Sequence, residues 1–342
     1  MSSLLKKLLQ FILFLSIGLS IMYYLFHKNQ IAYLDYCQLQ QIPVENCSLL
    51  NKLKQDFSTL HYFWIFMIFV GFAMTNYSRT VRWQIILKTM NYNTRFANAY
   101  CAINVGYLAN LGFPRIGEFV RAMIFSKYEK LPFDKVFGSV VLDRIADMLS
   151  FLLLILLAVA LDFPLFQTFF TKYAHIPTFN LNYYIVGLLI VVAALLFFFR
   201  AIILELSLVK KFASLISGVW EGIRSIRNLK ERNQFIIHTI LIWVWFFLMF
   251  VFACKSFEPT ANLPIVPMLV VYVFGSFGVF IPSPGGMGTY HFMVILGLGL
   301  YGLQQADAFS FANIAFTFGQ FFALIIFGVG SLIALPWFNK SR

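Results

Sequence analysis

"LGFPRIGEFVR", residues 111–121, places a glycine–proline break and three charged side chains in an otherwise apolar chain. The break separates an apolar stretch at 97–112 from a second one at 118–128, and lysines or arginines flank both. Basic residues favour the cytoplasmic side of a membrane. Because a segment with both ends on one side cannot cross a bilayer, the pattern predicts a re-entrant helical hairpin with its tip at 113–117.

The composition is that of a membrane protein. Hydrophobic residues make up 60% and charged residues 12% of the 342 residues, and the mean hydropathy is +0.79, well outside the range of a soluble globular domain. The formal net charge of +12 comes from basic residues between apolar runs, the distribution that topology selection produces. We therefore expect no nucleic-acid partner. The first apolar run, 8–26, lacks a small-x-small cleavage site and is interpreted as a retained helix.

The positive-inside rule orders the crossings. Lys6 and Lys7 place the N-terminus in the cytoplasm, and Lys340 and Arg342 place the C-terminus there. The predicted crossings cover residues 8–26, 60–78, 136–161, 183–199, 235–254 and 309–337. The basic segment 201–233 has apolar residues at helical spacing, which predicts a surface helix on the inner leaflet or a cytoplasmic helical hairpin. The expected location is a bacterial cytoplasmic (inner) membrane.

A second break, "IPSPGGMGTYHF" at 281–292, interrupts the apolar region 264–303. Two prolines and three glycines within 282–288 cannot continue a helix. Each flanking piece has about 15–17 residues, or roughly 22–26 Å as a helix, which is short for a crossing. The region therefore predicts a second re-entrant hairpin, entering from the opposite face.

The order of segments repeats along the chain. Span one pairs with span four, two with five, hairpin with hairpin, and three with six, and the second half begins on the opposite side. This is the inverted-topology repeat of many secondary transporters. The predicted fold is an all-α polytopic membrane protein with about six spanning helices and two re-entrant hairpins. It forms one domain, 1–342, with repeats at 1–165 and 180–342; an irregular eight-helix bundle is the alternative.

The charges of the opening stretch predict an anion site. A hairpin tip would place Arg115 and Glu118 in the hydrocarbon, where each charge costs about 2.5–3.5 kcal/mol. Glu118 lies three residues from both Arg115 and Arg121, so it can pair with either, and a released arginine offers a planar fork for a phosphate. The N–H groups after Pro114 and Pro284, at half-helix N-termini, are further anion sites. The alternative is a cytoplasmic loop with an interfacial salt bridge.

A second polar cluster lies in "VVLDRIADML", residues 140–149. Asp143 and Asp147 are four residues apart and share a helix face, with Arg144 beside them. Asp143 lies about 10 Å into the third span. Intramembrane acids at that depth serve as proton or ion sites or balance nearby arginines. A charge pair that pins helices together is the structural alternative.

Several short motifs together resemble the flippase-like transmembrane family that includes the membrane part of lysylphosphatidylglycerol synthase. Their order and spacing extend over nearly the whole chain. They are Arg79, Arg82 with Trp83, Asn110, "PRIGE" at 114–118 with Arg121, "LDRIAD" at 142–147, and "PSPGGMG" at 282–288.

The resemblance implies a transporter that moves lipids between leaflets, in the parent case an aminoacylated phosphatidylglycerol. Combined with the charge arguments, it yields a set of candidate substrate-binding residues: Asn110, Arg115, Glu118, Arg121, Gly285, Gly286, Gly288 and His291. Two features depart from the family. The soluble aminoacyl-transferring domain is absent, and His291 stands where the family often has a glutamate, which puts the coupling chemistry or the headgroup preference in doubt.

Enzyme motifs are missing from the sequence. HExxH, GxSxG, a P-loop and paired metal-ligand motifs do not occur, so no catalytic residue, metal or cofactor is predicted, and transport is expected to be downhill, ion-coupled or partner-driven. An intramembrane lipid transferase using Asp143, Asp147 and Arg115 is one alternative, and a regulatory subunit of a lipid synthase is another. The expected partners are membrane lipids and a lipid-synthesising enzyme encoded separately.

The segments between the spans give further predictions. Cys37 and Cys47 share the first outer loop and predict a disulfide in an oxidising compartment, with two free thiols as the alternative. Arg79 and Arg82 follow the second span and are predicted to lie in a basic cytoplasmic segment. Near the predicted inner boundaries lie the expected interfacial anchors Trp83, Trp220 and Trp337.

Overall fold

A computed structural model describes residues 3–113, 116–174, 231–281 and 283–340 of the chain. These residues form helices, turns and loops, and no β-strand occurs among them. The helices are α1 (Ser3–Leu39), α2 (Leu49–Ser58), α3 (Tyr62–Thr89), α4 (Phe96–Gly112), α5 (Gly117–Glu129), α6 (Phe133–Leu161), α7 (Phe163–Ala174), α8 (Arg232–Ser256), α9 (Glu258–Ala261), α10 (Ile265–Phe280), α11 (Thr289–Leu300), α12 (Gln305–Phe316) and α13 (Ala323–Phe338). The all-α prediction is confirmed.

Three of the described helical segments are long and apolar enough to cross a membrane: α6, α8 and the continuous segment Gln305–Phe338. The pair α2 and α3, bent by 81°, makes a possible fourth. These segments agree with the predicted third, fifth, sixth and second crossings. The first predicted crossing falls within α1, which is longer and is not among these candidates. The predicted crossing at 183–199 and residues 201–230 of the basic segment lie outside the described residues, and the last two residues of that segment begin α8.

The chain divides into two compact units. The first comprises residues 1–161 and 233–342, and the second comprises 162–232. Within the described part of the second unit, α7 begins after Asp162, whose carboxylate accepts the N–H of Leu165 at 3.3 Å. All the residues discussed below belong to the first unit.

The first predicted hairpin is present as two helices joined by a short break. Helices α4 and α5 flank residues 113–116, as the proline and glycine predict. The two helices approach so closely that a Cβ on Gly117 would lie 2.2 Å from the carbonyl oxygen of Gly106. Asn110 accepts the N–H of Gly117 at 2.7 Å and so holds the start of α5. Arg115 lies outside the described residues, and entry of this hairpin into a membrane stays a prediction.

The second predicted hairpin is formed by α10 and α11. A Cβ on Gly278 would lie 2.6 Å from the carbonyl oxygen of Thr289, so a glycine again permits the close approach. Gly285, Gly286 and Gly288 have φ of 58°, 82° and 82°, a region that glycine adopts without steric cost. The tips of the two hairpins meet, because a Cβ on Gly285 would lie 2.8 Å from Cδ2 of Leu111. The inverted repeat itself stays a prediction.

The segment between α1 and α3 is more ordered than a simple loop. Helix α1 continues to Leu39, so Cys37 is in its last turn, where it forms a disulfide with Cys47. Gln30 accepts the N–H of Leu49 at 2.8 Å and donates to the carbonyl of Cys47 at 2.9 Å, which ties the start of α2 to α1. Helix α2 was not predicted from the sequence.

The last predicted span contains a π-helical segment, Thr317–Phe322, between α12 and α13. Such i→i+5 segments inside α-helices are frequent at functional sites. Gly319 lies in this segment, and a Cβ there would have only one neighbour within contact distance, Cγ2 of Ile68 at 4.0 Å. The π segment therefore leaves open space beside α3.

Candidate functional site

Two arginines on α3 point into the protein. Arg79 and Arg82 are three residues apart and share a helix face, and their side chains are 2% and 0% exposed. Both lie within α3 and not in a segment that follows it, and their position relative to the membrane stays a prediction. Helix α3 extends to Thr89, beyond the predicted end of the span, and carries both side chains to carboxylates on α6.

The carboxylates of Asp143 and Asp147 form the other side of this contact. Arg82 donates from Nε to Asp143 at 2.8 Å and from Nη2 to Asp147 at 2.7 Å. Arg79 donates from Nη1 to the second oxygen of Asp147 at 2.5 Å. Asp143 is fully buried. Two arginines and two aspartates, each pair on one helix face, thus join α3 to α6 by charge-assisted hydrogen bonds.

Helix α5 contributes a third buried arginine. Arg121 donates from Nη1 to Asp143 at 2.8 Å. Its guanidinium carbon lies 3.8 Å from the ring centroid of Trp83, within the range of a cation–π contact. Trp83 is fully buried and donates to the hydroxyl of Ser139 at 2.9 Å. The prediction that Trp83 is an interfacial anchor was therefore wrong, since its ring supports Arg121 inside the protein.

Glu118 and Arg144 lie at the edge of this group. Arg144 Nε is 3.1 Å from Glu118 Oε1, and Arg144 Nη1 is 3.2 Å from Asp147 Oδ2. Their side chains are 31% and 28% exposed, in contrast to the buried arginines. The predicted pair of Glu118 and Arg121 is not formed, because each has a different partner on α6. The ring of Tyr107 lies between Arg79 and Arg144, at 5.8 Å and 6.0 Å from their guanidinium carbons.

These seven side chains are called the arginine cluster: Arg79, Arg82, Arg121, Arg144, Asp143, Asp147 and Glu118. Four guanidinium groups face three carboxylates, so the cluster has a formal charge of +1. Within the described part of the chain, five buried guanidinium nitrogens have no hydrogen-bond partner: Arg79 Nε, Arg82 Nη1, Nε and Nη2 of Arg121, and Arg144 Nε, which is in ion-pair distance of Glu118 without a hydrogen bond. The cluster therefore combines excess positive charge with unused donors.

The second hairpin tip uses its polar groups internally. Thr289 donates to the carbonyl of Gly278 at 2.7 Å and contacts the hydroxyl of Ser283 at 2.9 Å. The N–H of Gly288 points to Nδ1 of His291 at 3.4 Å. The N–H of Gly286 donates to the carbonyl of Ser283 at 3.2 Å. Two of the glycine N–H groups predicted to bind an anion are thus already engaged within the turn.

The comparison with known families covers most of this chain. The profile described as the lysylphosphatidylglycerol synthase TM region matches residues 48–328, which include both hairpins and the whole arginine cluster. The chain belongs to the lysylphosphatidylglycerol synthase transmembrane-region family. It is therefore a multi-pass membrane protein of a lipid-related family, as the sequence motifs predicted.

A more distant similarity is limited to part of the chain. The UPF0104 membrane protein MJ1595 of Methanocaldococcus jannaschii is 28% identical over 92 residues, which are 26% of this chain and 27% of that protein. The alignment thus spans about a quarter of the archaeal protein. No solved structure matches the chain.

The arginine cluster of this family member has the chemistry of an anion site. A buried donor without a partner costs about 1–3 kcal/mol, and more when the group is charged. An anion with several oxygen atoms would satisfy such donors and balance the excess charge. Both aspartates form ion pairs with arginines, which is one of the two roles predicted for them. The other, a role in ion coupling, stays a prediction. Among the described residues, no group of three or more His, Cys, Asp or Glu side chains is placed to hold a metal ion.

Five of the seven residues of the arginine cluster were predicted from the sequence as site or charge-cluster residues: Glu118, Arg121, Asp143, Arg144 and Asp147. The structure brings them together. Arg79 and Arg82 carried the family resemblance and were not assigned to the site. The signal was present, since basic residues three apart on one apolar helix match acidic residues four apart on another. A comparison of the charged faces of different helices, instead of the charges within one helix, would have paired these arginines with Asp143 and Asp147.

Proposed function

We propose that this protein moves a lipid with an anionic headgroup between the leaflets of the membrane, and that the arginine cluster binds the headgroup. The observation that carries the proposal is the set of unpartnered guanidinium nitrogens in a buried cluster of net positive charge. Guanidinium forks match the oxygen geometry of phosphate groups. The family's association with lipid synthesis supports a lipid as the source of that phosphate.

The partly exposed pair at the edge suggests how the headgroup enters. Glu118 contacts Arg144 and leaves its second oxygen, Oε2, without a hydrogen bond within the described residues. A phosphate that approaches the partly exposed Arg144 competes with contacts of 3.1 Å to Glu118 and 3.2 Å to Asp147, whereas the buried Asp143 is held by three arginines at 2.8, 2.8 and 3.6 Å. Arg144 is therefore the first contact, and the buried arginines follow. The headgroup stays in this polar site while the lipid chains remain in hydrocarbon.

The movement between leaflets is part of the same proposal. The two hairpins, whose tips meet at Leu111 and Gly285, belong to opposite repeats, and rocking of the repeats would expose the site to each leaflet in turn. We place the protein in a bacterial inner membrane with both termini in the cytoplasm. The chain carries no ATP-binding motif, and a separately encoded enzyme supplies the lipid.

A transport assay tests the headgroup site. The purified protein is reconstituted in liposomes with fluorescent phosphatidylglycerol, and movement is measured by chemical quenching of the outer leaflet. Arg144→Gln is expected to slow translocation at least tenfold, because it removes the first phosphate contact; Arg144→Lys keeps the charge without the planar fork and is expected to be intermediate. Arg115→Ala, at the tip of the first hairpin, is also expected to abolish movement.

The matched control is Lys54→Gln, which removes one positive charge from an exposed position on α2. It is expected to translocate lipid like the parent. A folded Arg144→Gln protein that moves lipid at the parental rate would contradict the headgroup site. Conversion of the labelled lipid into a new product by the parent protein would instead support the transferase alternative.

The topology is tested by added cysteines in the native background. Cys37 and Cys47 are bonded to each other and Cys101 and Cys254 are buried, so an impermeant thiol reagent is not expected to reach them. Arg95→Cys and Lys127→Cys should both be shielded from the outside, and Lys54→Cys should be labelled. External labelling at position 127 would show that the first hairpin crosses the membrane.

A further inference from the structure

A cavity of about 70 Å³ with a mostly apolar wall lies between α3, α8, α10, α11, the end of α12 and the π segment. Its walls include Ile68, Phe246, Met249, Tyr272, Tyr290 and Gly319. Two polar side chains also line it: the hydroxyl of Ser276 donates to the carbonyl of Tyr272 at 2.9 Å and is therefore already engaged, and Gln320 lies on the π segment. The apolar part of the wall favours hydrocarbon over water, because a bound water needs two to four polar partners.

The cavity adjoins the arginine cluster through one side chain. Phe246 lines the cavity, and its ring centroid lies 5.9 Å from the guanidinium carbon of Arg79. The same ring thus contacts a cation of the headgroup site on one side and the apolar space on the other. A molecule with an anionic end and an apolar continuation would fill both places at once.

We infer that this cavity binds the part of a lipid hydrocarbon chain that lies nearest the headgroup, while the headgroup occupies the arginine cluster. The inference rests on the proposed function and adds a second binding element to it. A cavity of about 150 Å³ holds one benzene molecule, so this space takes a shorter segment, roughly two to three methylene groups. The substrate is therefore recognised by its chain as well as by its charge.

Gly319 keeps this cavity open. A Cβ at this position would have its nearest neighbour, Cγ2 of Ile68, at 4.0 Å, so a larger side chain fits without a backbone clash. Gly319→Leu is therefore expected to fill the cavity, and Gly319→Ala to fill part of it. Gly330 on α13 provides the matched control, because it is exposed and a Cβ there meets nothing within 4 Å.

The test compares a lipid with its isolated headgroup. Binding of phosphatidylglycerol and of glycerol phosphate is measured on the full-length protein in detergent. Displacing about two methylene groups from the cavity should weaken lipid binding about tenfold in Gly319→Leu and a few-fold in Gly319→Ala. Binding of glycerol phosphate should not change in either, and Gly330→Leu should match the parent for both ligands.

A photoreactive lipid adds an independent measurement. A diazirine placed close to the glycerol end of the chain should label the parent at α8 or α10, near Phe246 or Tyr272, and this labelling should be lost in Gly319→Leu.

If Gly319→Leu binds phosphatidylglycerol like the parent, or weakens the binding of both ligands equally, the chain site is wrong. If Gly319→Leu does not fold, lipid binding by Gly319→Ala and the position of the label in the parent test the chain site instead. A parent protein that moves no lipid would contradict the proposed function itself, whereas normal transport with labelling elsewhere would contradict only the chain site.

Discussion

The two hairpins have the same construction and different polar interiors. Each joins two short helices through a glycine contact, at Gly106 and Gly117 in the first and at Gly278 in the second. The first hairpin carries Arg121 into a cluster with unpartnered donors. The second engages Thr289 and Ser283 with each other and with nearby carbonyls, and leaves an apolar cavity beside it. Both helix breaks therefore hold polar groups, and the donors left without partners beside the first break are the basis of the proposed headgroup site.

The largest effect is expected from a substitution in the arginine cluster beside the first hairpin. Asp143→Asn removes the charge that three buried arginines share. Because removing one partner of a buried ion pair leaves uncompensated charge, the free energy of unfolding should fall by about 3–5 kcal/mol. Thermal unfolding in detergent measures it, with Asp56→Asn in α2 as the control for a partly exposed pair. An Asp143→Asn protein as stable as the parent would show that the cluster does not hold α3, α5 and α6 together.

The shared glycine contacts should be equally sensitive in both hairpins. Gly117→Ala and Gly278→Ala each place a Cβ within 2.6 Å or less of backbone atoms of the facing helix. Such overpacking should lower the free energy of unfolding by about 1–3 kcal/mol. Gly112→Ala is the control, because a Cβ there meets nothing within 4 Å. Unfolding by temperature compares the three, and a clear difference between Gly117→Ala and Gly278→Ala would break the structural similarity of the hairpins.

The polar contacts of the second tip should affect stability more than transport. Thr289→Val keeps the shape of the side chain and removes its contacts with Ser283 and with the carbonyl of Gly278. Loss of these hydrogen bonds should cost about 1–2 kcal/mol of stability. Translocation of phosphatidylglycerol by the folded protein should stay within about twofold of the parent. Normal stability together with lost transport would indicate that the headgroup binds at this tip.

The smallest effect is expected at His291. Its Nδ1 faces the N–H of Gly288 at 3.4 Å, a long hydrogen bond, and its ring packs on Phe316. His291→Gln retains an acceptor and should change stability by less than about 1 kcal/mol. Transport should again stay near the parental rate, unlike that of Arg144→Gln. If His291→Gln slows transport as strongly as Arg144→Gln, the two tips bind the substrate together and the contrast drawn between them is wrong.

The helix breaks could be predicted from the sequence because their causes are local. The closely spaced prolines and glycines at these two breaks cannot continue a regular helix, so the ends of α4, α5, α10 and α11 fall within a few residues of the predicted positions. The extent of α3 could not be predicted in this way. The positive-inside rule ended the second span before Arg79 and Arg82, whereas both lie inside α3 and pair with Asp143 and Asp147, 61 to 68 residues later.

The types of residue in the site could be predicted from the sequence, but the arginine–carboxylate pairs could not. The acids of α6 and the charges of α5 are visible as rare residues in apolar helices, which is a general mark of function in membranes. Which arginine meets which carboxylate depends on the rotation and packing of three helices. Glu118 was therefore predicted to pair with a neighbour in sequence, Arg115 or Arg121, and it contacts Arg144 on α6.

The ion pairs between α3 and α6 also have a consequence for the synthesis of the chain. Arg82 is translated 61 residues before Asp143, which at about 5–20 residues per second is a delay of roughly 3–12 s. During that time, a helix carrying two unpaired arginines would cost about 2.5–3.5 kcal/mol per charge at the bilayer centre. We therefore expect α3 to remain beside the insertion machinery, or at the lipid–water boundary, until α6 has been made. The order in which the helices leave the insertion machinery is thus set by the charges that they share.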